Sequence, residues 1–147
     1  MNDILQTLAV LLAAAFWGGL VAIDFIVTPI RFNLKNADPE SLQRLANEIF
    51  RMFGYVQIGL LAGVLLFSLL GGAGLPVLLP AFFALALAGL NAGLLEPMMR
   101  QMRSPQLSPE EREAKADTRK QLHQAYLASD LFKVALGALL LVALVSA

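Results

Sequence analysis

Charged residues fall in a few narrow windows along this chain, and long apolar runs lie between them. No residue between Asp3 and Asp24 is charged, a stretch of roughly the 20 residues that a bilayer core demands of a spanning helix. A first transmembrane helix is therefore expected from about residue 4 to about residue 31. The chain then turns charged as far as Arg51, with Lys35, Asp38, Glu40, Arg44 and Glu48. Within that window Asn36-Ala37-Asp38-Pro39-Glu40 reads as a turn and a helix start: Asp38 caps, Pro39 takes the first helical position, and an acid follows where the helix dipole favours it. The second helix, about 39–70, is amphipathic and wet at first and enters lipid near Met52.

The uncharged segment Gly71-Gly72-Ala73-Gly74-Leu75-Pro76 predicts a tight hairpin. A third helix of about 77–103 follows, holding Asn91 and Glu96 and ending in Arg100 and Arg103. Ser108-Pro109-Glu110-Glu111 repeats the start signal with capping-box spacing. The last helix, about 109–146, would be ~55 Å long at ~1.5 Å per residue against a hydrocarbon core of ~30 Å, so about four of its turns must stand in water. The pattern predicts an all-α, integral membrane four-helix bundle forming one domain over 1–147.

The two hairpins resemble each other. Pro29-Ile30-Arg31 answers to Pro97-Met98-Met99-Arg100, Asp38-Pro39-Glu40 to Ser108-Pro109-Glu110, and Gly54-Tyr55 to Ala125-Tyr126. Two similar hairpins entering from one side make a parallel internal repeat, with a pseudo-two-fold axis along the membrane normal. Interfacial clustering of Pro, Tyr and Arg would produce part of this likeness in unrelated hairpins.

Composition agrees with the pattern, because 58% hydrophobic residues is too apolar for an ordinary soluble domain. The N-terminus has no basic region before its apolar run and carries Asp3 instead, so it reads as a retained helix rather than a cleaved signal. There is no cysteine, which removes disulfides, thiolate chemistry and Cys-ligated metal. Net charge is zero and the bases are interleaved with acids, so nucleic acid is not an expected partner. Ten of the eleven Lys and Arg residues lie in the 31–51 and 100–120 windows. The positive-inside rule then puts both windows in the cytoplasm and both termini outside, in the inner membrane if the source is bacterial.

A carboxylate at membrane depth is a functional-site hypothesis by default, because its burial in hydrocarbon is costly. Asp24 is the leading candidate, since its own helix offers no obvious partner. By helix rise, Asp24 and Glu96 lie roughly 6 to 11 Å from the cytoplasmic edge, and Asp130 and Lys133 come to a similar depth. On the last helix His123, Tyr126, Asp130, Lys133 and Gly137 fall within an arc of about 80° at 100° per residue. Trp17, Asp24 and Arg31 are co-facial at heptad spacing. Pro29 and Pro97 predict kinks that leave the Phe25 and Gly93 carbonyls without their usual donors. Such a set suits a cation, a proton relay or a polar headgroup. The plainer reading is that Asp130 with Lys133, and Glu96 with Arg100, pair within their own helices, and that the basic groups snorkel.

Other features carry less. A single histidine, His123, cannot form a bis-histidine haem site. Met52, Met98, Met99 and Met102 sit at helix ends without a repeated motif, which favours packing over a copper site. Gly59 and Gly63 make a small-xxx-small face for close helix packing, within the bundle or between protomers. No nucleophile–base pair, phosphate-binding glycine loop or HExxH spacing is present, so no catalytic residue, metal or cofactor is expected.

The runs FWGGLVAIDFIVTPIRF, NAGLLEPMMRQMR and RKQLHQAYLASDLFKVALG make the chain similar to the small four-helix membrane proteins grouped as domain of unknown function 4149, the transmembrane protein 205-like proteins. The Gly-rich first helix with Thr28-Pro29-Ile30-Arg31-Phe32, then Asn91 and Pro97, then Arg119 and His123 carry the resemblance. Asp130 stands where the family more often has Asn. The resemblance implies a four-helix bundle and no established reaction; a more distant likeness to copper-resistance D-type membrane domains transfers no metal. The expectation is a non-enzymatic membrane protein, in contact with the bilayer and homo-oligomeric, whose polar cluster binds or conducts a small ion, proton or polar solute. The alternative is a scaffold or accessory subunit that docks a protein partner through the cytoplasmic ends of helices two and four.

Overall fold

The computed structural model describes residues 3–27, 38–102 and 108–147. Pro29, Arg31 and Arg103 lie outside the described residues, and with them the expected kink at Pro29 and the end of the first helix. Within the described chain, α1 (Asp3–Ala22) runs into a π-helical turn at Ile23–Val27; α2 spans Pro39–Leu70 and α3 spans Leu75–Leu90. A second π-helical turn, Asn91–Leu95, joins α3 to α4 (Glu96–Gln101), and α5 (Pro109–Ala114) precedes α6 (Ala116–Val145). Four candidate membrane spans result: Asp3–Asp24, Arg44–Leu70, Leu75–Gln101 and Ala116–Val145. The protein is an all-α, multi-pass membrane protein.

Local chemistry sets the ends of these helices. The Asp38 side chain accepts from the Ser41 amide at 2.8 Å, with proline in the first turn of α2. Ser108 and Glu111 make a reciprocal capping box, the Ser108 amide donating to Glu111 at 2.8 Å and the Glu111 amide to the Ser108 hydroxyl at 3.2 Å. These bonds to Ser108 hold the Glu111 carboxyl below its ordinary range. At the far end α2 stops in a tight turn: Gly72 takes φ +72°, and the Ala73 amide reaches back to the Ser68 carbonyl at 2.8 Å. Only a residue without Cβ enters that left-handed region at no steric cost. The third helix begins at Leu75, two residues earlier than expected, because Pro76 sits inside its first turn rather than in the loop. The last helix is not continuous from Pro109: Lys115, at φ −95° and ψ 1°, separates α5 from α6.

Helices α1, α2, α3 and α6 form a ring in which each packs against its neighbours in sequence and α6 closes back on α1, leaving α1 opposite α3 and α2 opposite α6. Neighbours are antiparallel, as the pairings Gly63 with Leu12 and Gly19 with Phe53, and Trp17 with Val134 and Gln6 with Leu144, require. The core is narrow and built largely of small side chains on α1 and α3. Ala9, Ala13, Phe16 and Leu20 are buried on α1, and Val77, Ala81, Ala84 and Ala88 on α3. Lipid removes most of the hydrophobic driving force between helices, so close approach through small residues and interhelical hydrogen bonds must hold them. Leu69, Phe82, Phe83, Phe132 and Val142 face outward, as a lipid-exposed surface demands.

These buried sets repeat. One constant offset carries Ala9, Ala13, Phe16 and Leu20 onto Val77, Ala81, Ala84 and Ala88, the turn Ile23–Val27 onto Asn91–Leu95, and Pro29 onto Pro97. In the other two helices Gln57, Leu61, Val64 and Ser68 map onto Lys133, Gly137, Leu140 and Leu144, all buried. The second register differs from the Tyr55-to-Tyr126 match expected from sequence. The reason is the interruption at Lys115, where α5 and the start of α6 form a longer leader than that of α2, so equal depth is reached nearly two turns later.

Glycine contacts separate the packing positions. A Cβ on Gly137 would lie 2.6 Å from Trp17 Cδ1 and 3.2 Å from Phe16 Cε1, and one on Gly63 would lie 2.7 Å from Leu12. Gly59 is exposed and a Cβ there meets nothing, so of the expected small-residue pair only Gly63 packs inside the chain. Gly137→Val is expected to lose about 1–3 kcal/mol through overpacking, while Gly59→Ala leaves stability within about 0.5 kcal/mol. Thermal melts of the two variants in detergent, followed by circular dichroism, check the contrast.

Candidate functional site

The most buried charge in the described chain is Lys133, with 1% of its surface exposed. An ammonium in that position needs a counter-charge and acceptors for its N–H groups. Asp130, one turn earlier on α6, supplies the first at 2.6 Å, and Gln57 Oε1 on α2 supplies a second acceptor at 2.9 Å. Since α2 lies diagonally across the ring, Lys133 spans the bundle. It joins the two positions that the repeat makes equivalent. Asp130 Oδ1 also accepts from Asn91 Nδ2 at 3.1 Å, so α6 is tied to α2 and to the π-helical turn after α3 by one chain of polar contacts.

Asp24 lies within electrostatic reach of this chain. Its carboxylate feels the charges of Asp130 and Lys133, and its Oδ2 is buried without a hydrogen-bond partner. Asn91 Oδ1 and Ser129 Oγ are in the same condition. The Asn91 amide is oriented by chemistry: a carboxylate bound to an ammonium accepts and does not donate, so the Nδ2 side must face Asp130 and the oxygen must face away. Three of the four long helical segments meet in this cluster by direct contact, through Gln57 on α2, Asn91 after α3 and Asp130 with Lys133 on α6, and Asp24 after α1 is coupled to it by charge.

Both π-helical turns occur where this cluster forms. In the second, the Glu96 amide bonds to the Asn91 carbonyl, five residues back, and the next residue, Pro97, has no N–H. The Ala92 carbonyl therefore loses the donor four residues on, which is committed elsewhere, and the donor five residues on, which does not exist. Sequence reasoning names the Gly93 carbonyl, whose donor four residues on is the same Pro97; the wider helical register adds Ala92.

The remaining expected residues divide. Glu96 is buried and pairs with Arg100 at 2.8 Å, within its own helix. Tyr126 lies within electrostatic reach of Asp130, Asp24 and Glu96 and packs edge-on against Phe50, ring centroids 6.3 Å apart. His123 is exposed and is not drawn into the cluster: it lies on the leader of α6, before the first buried residue, Ser129. Trp17 packs over Gly137 rather than Asp24, and its indole N–H donates to the Val134 carbonyl at 3.0 Å. Sequence reasoning passed over Gln57 and left Asn91 outside the site. Each was visible as the only amide in an otherwise apolar run. Among the described residues no three His, Cys, Asp or Glu side chains come together as a metal-binding group.

Residues 11–106 match the family model described as Domain of unknown function (DUF4149). The chain belongs to this family. No curated protein and no solved structure matches it. The DUF4149 match takes in α1 from residue 11 on, α2, α3 and both π-helical turns, and therefore Asp24, Gln57 and Asn91; Asp130 and Lys133 lie beyond it.

Removing one member of a buried ion pair strands the other. Lys133→Met is expected to cost about 3–5 kcal/mol by leaving Asp130 uncompensated, and the double change Lys133→Met with Asp130→Asn recovers most of that loss. Equilibrium unfolding of the single and double variants in mixed micelles tests this.

Proposed function

We propose that this DUF4149 protein binds a small cation, proton or polar solute at the Asp130-centred cluster and passes it along the cytoplasmic half of the bundle. One observation carries the reading: two buried acceptor oxygens, Asp24 Oδ2 and Asn91 Oδ1, lack a donor within electrostatic or hydrogen-bond reach of the Asp130–Lys133 ion pair, whose ammonium also reaches Gln57 across the bundle. A buried acceptor without a partner costs about 1–3 kcal/mol, and more when charged, so a ligand that brings a donor or positive charge is favoured there. Asp24 and Asp130 are two carboxyl groups within electrostatic reach of one ammonium. A scaffold role draws on a different observation, the exposed charged leaders of α2 and α6, which include Arg44, Glu48 and Arg119.

Reconstituted into liposomes, the protein is expected to support ion or proton flux that Asp24→Asn abolishes while the bundle still folds. Unchanged flux removes the reading, and a phenotype confined to Arg44, Glu48, Arg112 or Arg119 transfers the case to the scaffold role. The orientation that goes with this proposal has the charged windows in the cytoplasm and both termini outside, since basic residues are retained there. In this cysteine-free chain, Ser146→Cys should react with an impermeant maleimide on intact cells, and Lys120→Cys only after permeabilisation.

A further inference from the structure

Within that binding reading, we infer that Asp24 and Asp130 form a carboxyl pair across the seam between α1 and α6, and that the ligand this pair takes is a single proton. Two separate registers bring the side chains together. The first is the seam itself. A Cβ on Gly137 would lie 2.6 Å from Trp17 Cδ1, so these residues touch where α1 and α6 pass each other antiparallel. Asp24 is seven residues after Trp17 and Asp130 seven before Gly137, which is about two turns along each helix, in one direction and on the same two faces. The second register is the internal repeat. The offsets that carry the core of α1 onto α3 and that of α2 onto α6 also carry Asp24 onto Ala92 and Gly54 onto Asp130. Asp24 and Ala92 each stand second in a π-helical turn, so that turn displaces both alike. A Cβ on Gly54 would lie 3.4 Å from the Ala92 Cβ. The same contact in the other half of the repeat sets Asp24 against Asp130, and the charge coupling between the two carboxyl groups agrees with it.

Two carboxylates against one ammonium leave an excess charge that burial makes costly, and a proton held between the two acids removes it. The contacts decide how that proton is shared. Asp130 already accepts from the Lys133 ammonium and the Asn91 amide, so it is the acceptor of the pair. Asp24 Oδ2 is buried and meets no donor. A proton on Asp24 makes that carboxyl a donor beside a carboxylate, and the set of Asp24, Asp130 and Lys133 becomes neutral. Other charges near Asp24 are matched elsewhere. On α2 the contact of Gly19 with Phe53 brings the level of Glu48 and Arg51 past Asp24, and these two pair with each other. Glu96 pairs with Arg100, and Tyr126 adds a phenol within electrostatic reach of both acids. Across the repeat the equivalent places hold Gly54 and Ala92, which carry no acid. One half of the bundle therefore has the proton site and the other has lost it or never had it.

The absence of cysteine allows the placement to be tested directly. Asp24→Cys with Asp130→Cys, in a Lys133→Met background that removes the stranded ammonium, is expected to close a disulfide on addition of an oxidant, as Cβ atoms about 3.8 Å apart allow. Gly54→Cys with Ala92→Cys is the positive control, and a control that closes while the acid-site pair stays reduced overturns the inference. The proton is read by infrared spectroscopy of the purified protein in detergent, where a protonated carboxyl shows a C=O stretch that shifts in D2O. The protein is expected to gain one such band as pH falls from alkaline to mildly acidic, to lose it in Asp24→Asn and to keep it in Glu96→Gln. A band that survives Asp24→Asn, a band that goes with Glu96→Gln, or no band at all overturns the inference. Should Asp24→Asn fail to fold by circular dichroism, Asp24→Glu takes its place, and a band of unaltered frequency there overturns it. Asp24-dependent flux of sodium or potassium in liposomes without the band would sink this inference and leave the binding reading standing. Flux indifferent to Asp24→Asn, with the band present, would remove that reading and leave the acid pair.

Discussion

A lysine ammonium closed off from water and lipid alike is the constraint around which this bundle is arranged. Lys133 is tolerated because Asp130 and Gln57 meet it from two sides, and Asp130 in turn is steadied by Asn91. Each contact fixes a neighbour: α2 is tied across the diagonal, and the turn after α3 is held against α6. In a bilayer such polar ties have no water to compete with them, although each contributes only about 0.6 kcal/mol on average because the separated helices also find partners. Their collective effect is to choose one arrangement of four otherwise interchangeable apolar helices.

Close packing does the rest. Five alanines and one valine among the eight buried core positions of α1 and α3 bring helix backbones near enough for side chains from opposite helices to meet at the centre. A core of larger residues would hold α2 and α6 too far apart for Lys133 to reach Gln57. The π-helical turns act in the same direction by rotating the chain ahead of each proline, and in the second of them the widened register frees the Ala92 carbonyl next to Asn91.

Much of this was legible in the residues. Charge-free runs of spanning length located the helices, and the caps at Asp38 and Ser108 located two of their starts, because both signals are local. Counting back from helix ends put Asp130 and Lys133 near the depth of Asp24. What counting could not supply was which helices are neighbours, so Gln57 and Asn91, the residues that bridge between helices, were missed or left aside. The π-helical turns were also out of reach: proline predicts a disturbed ladder, but whether the chain kinks or widens is decided by packing. The same holds for the second repeat register, which was misjudged because the interruption at Lys115 has no strong breaker residue to announce it. His123 shares an arc with Asp130, yet helical phase says nothing about how far along its axis a helix becomes enclosed.

The bonds from Trp17 to the Val134 carbonyl and from Gln6 to the Leu144 carbonyl join the first helix to the last. During synthesis α1 must therefore wait in the membrane, with Asp24 just past its end, until α6 has emerged. Asp130 and Lys133 arrive only then, and α6 closes the ring after the other three helices are in place. A chain cut short before α6 would leave an open three-helix intermediate in which Gln57 and Asn91 have lost the Lys133 and Asp130 partners that satisfy them.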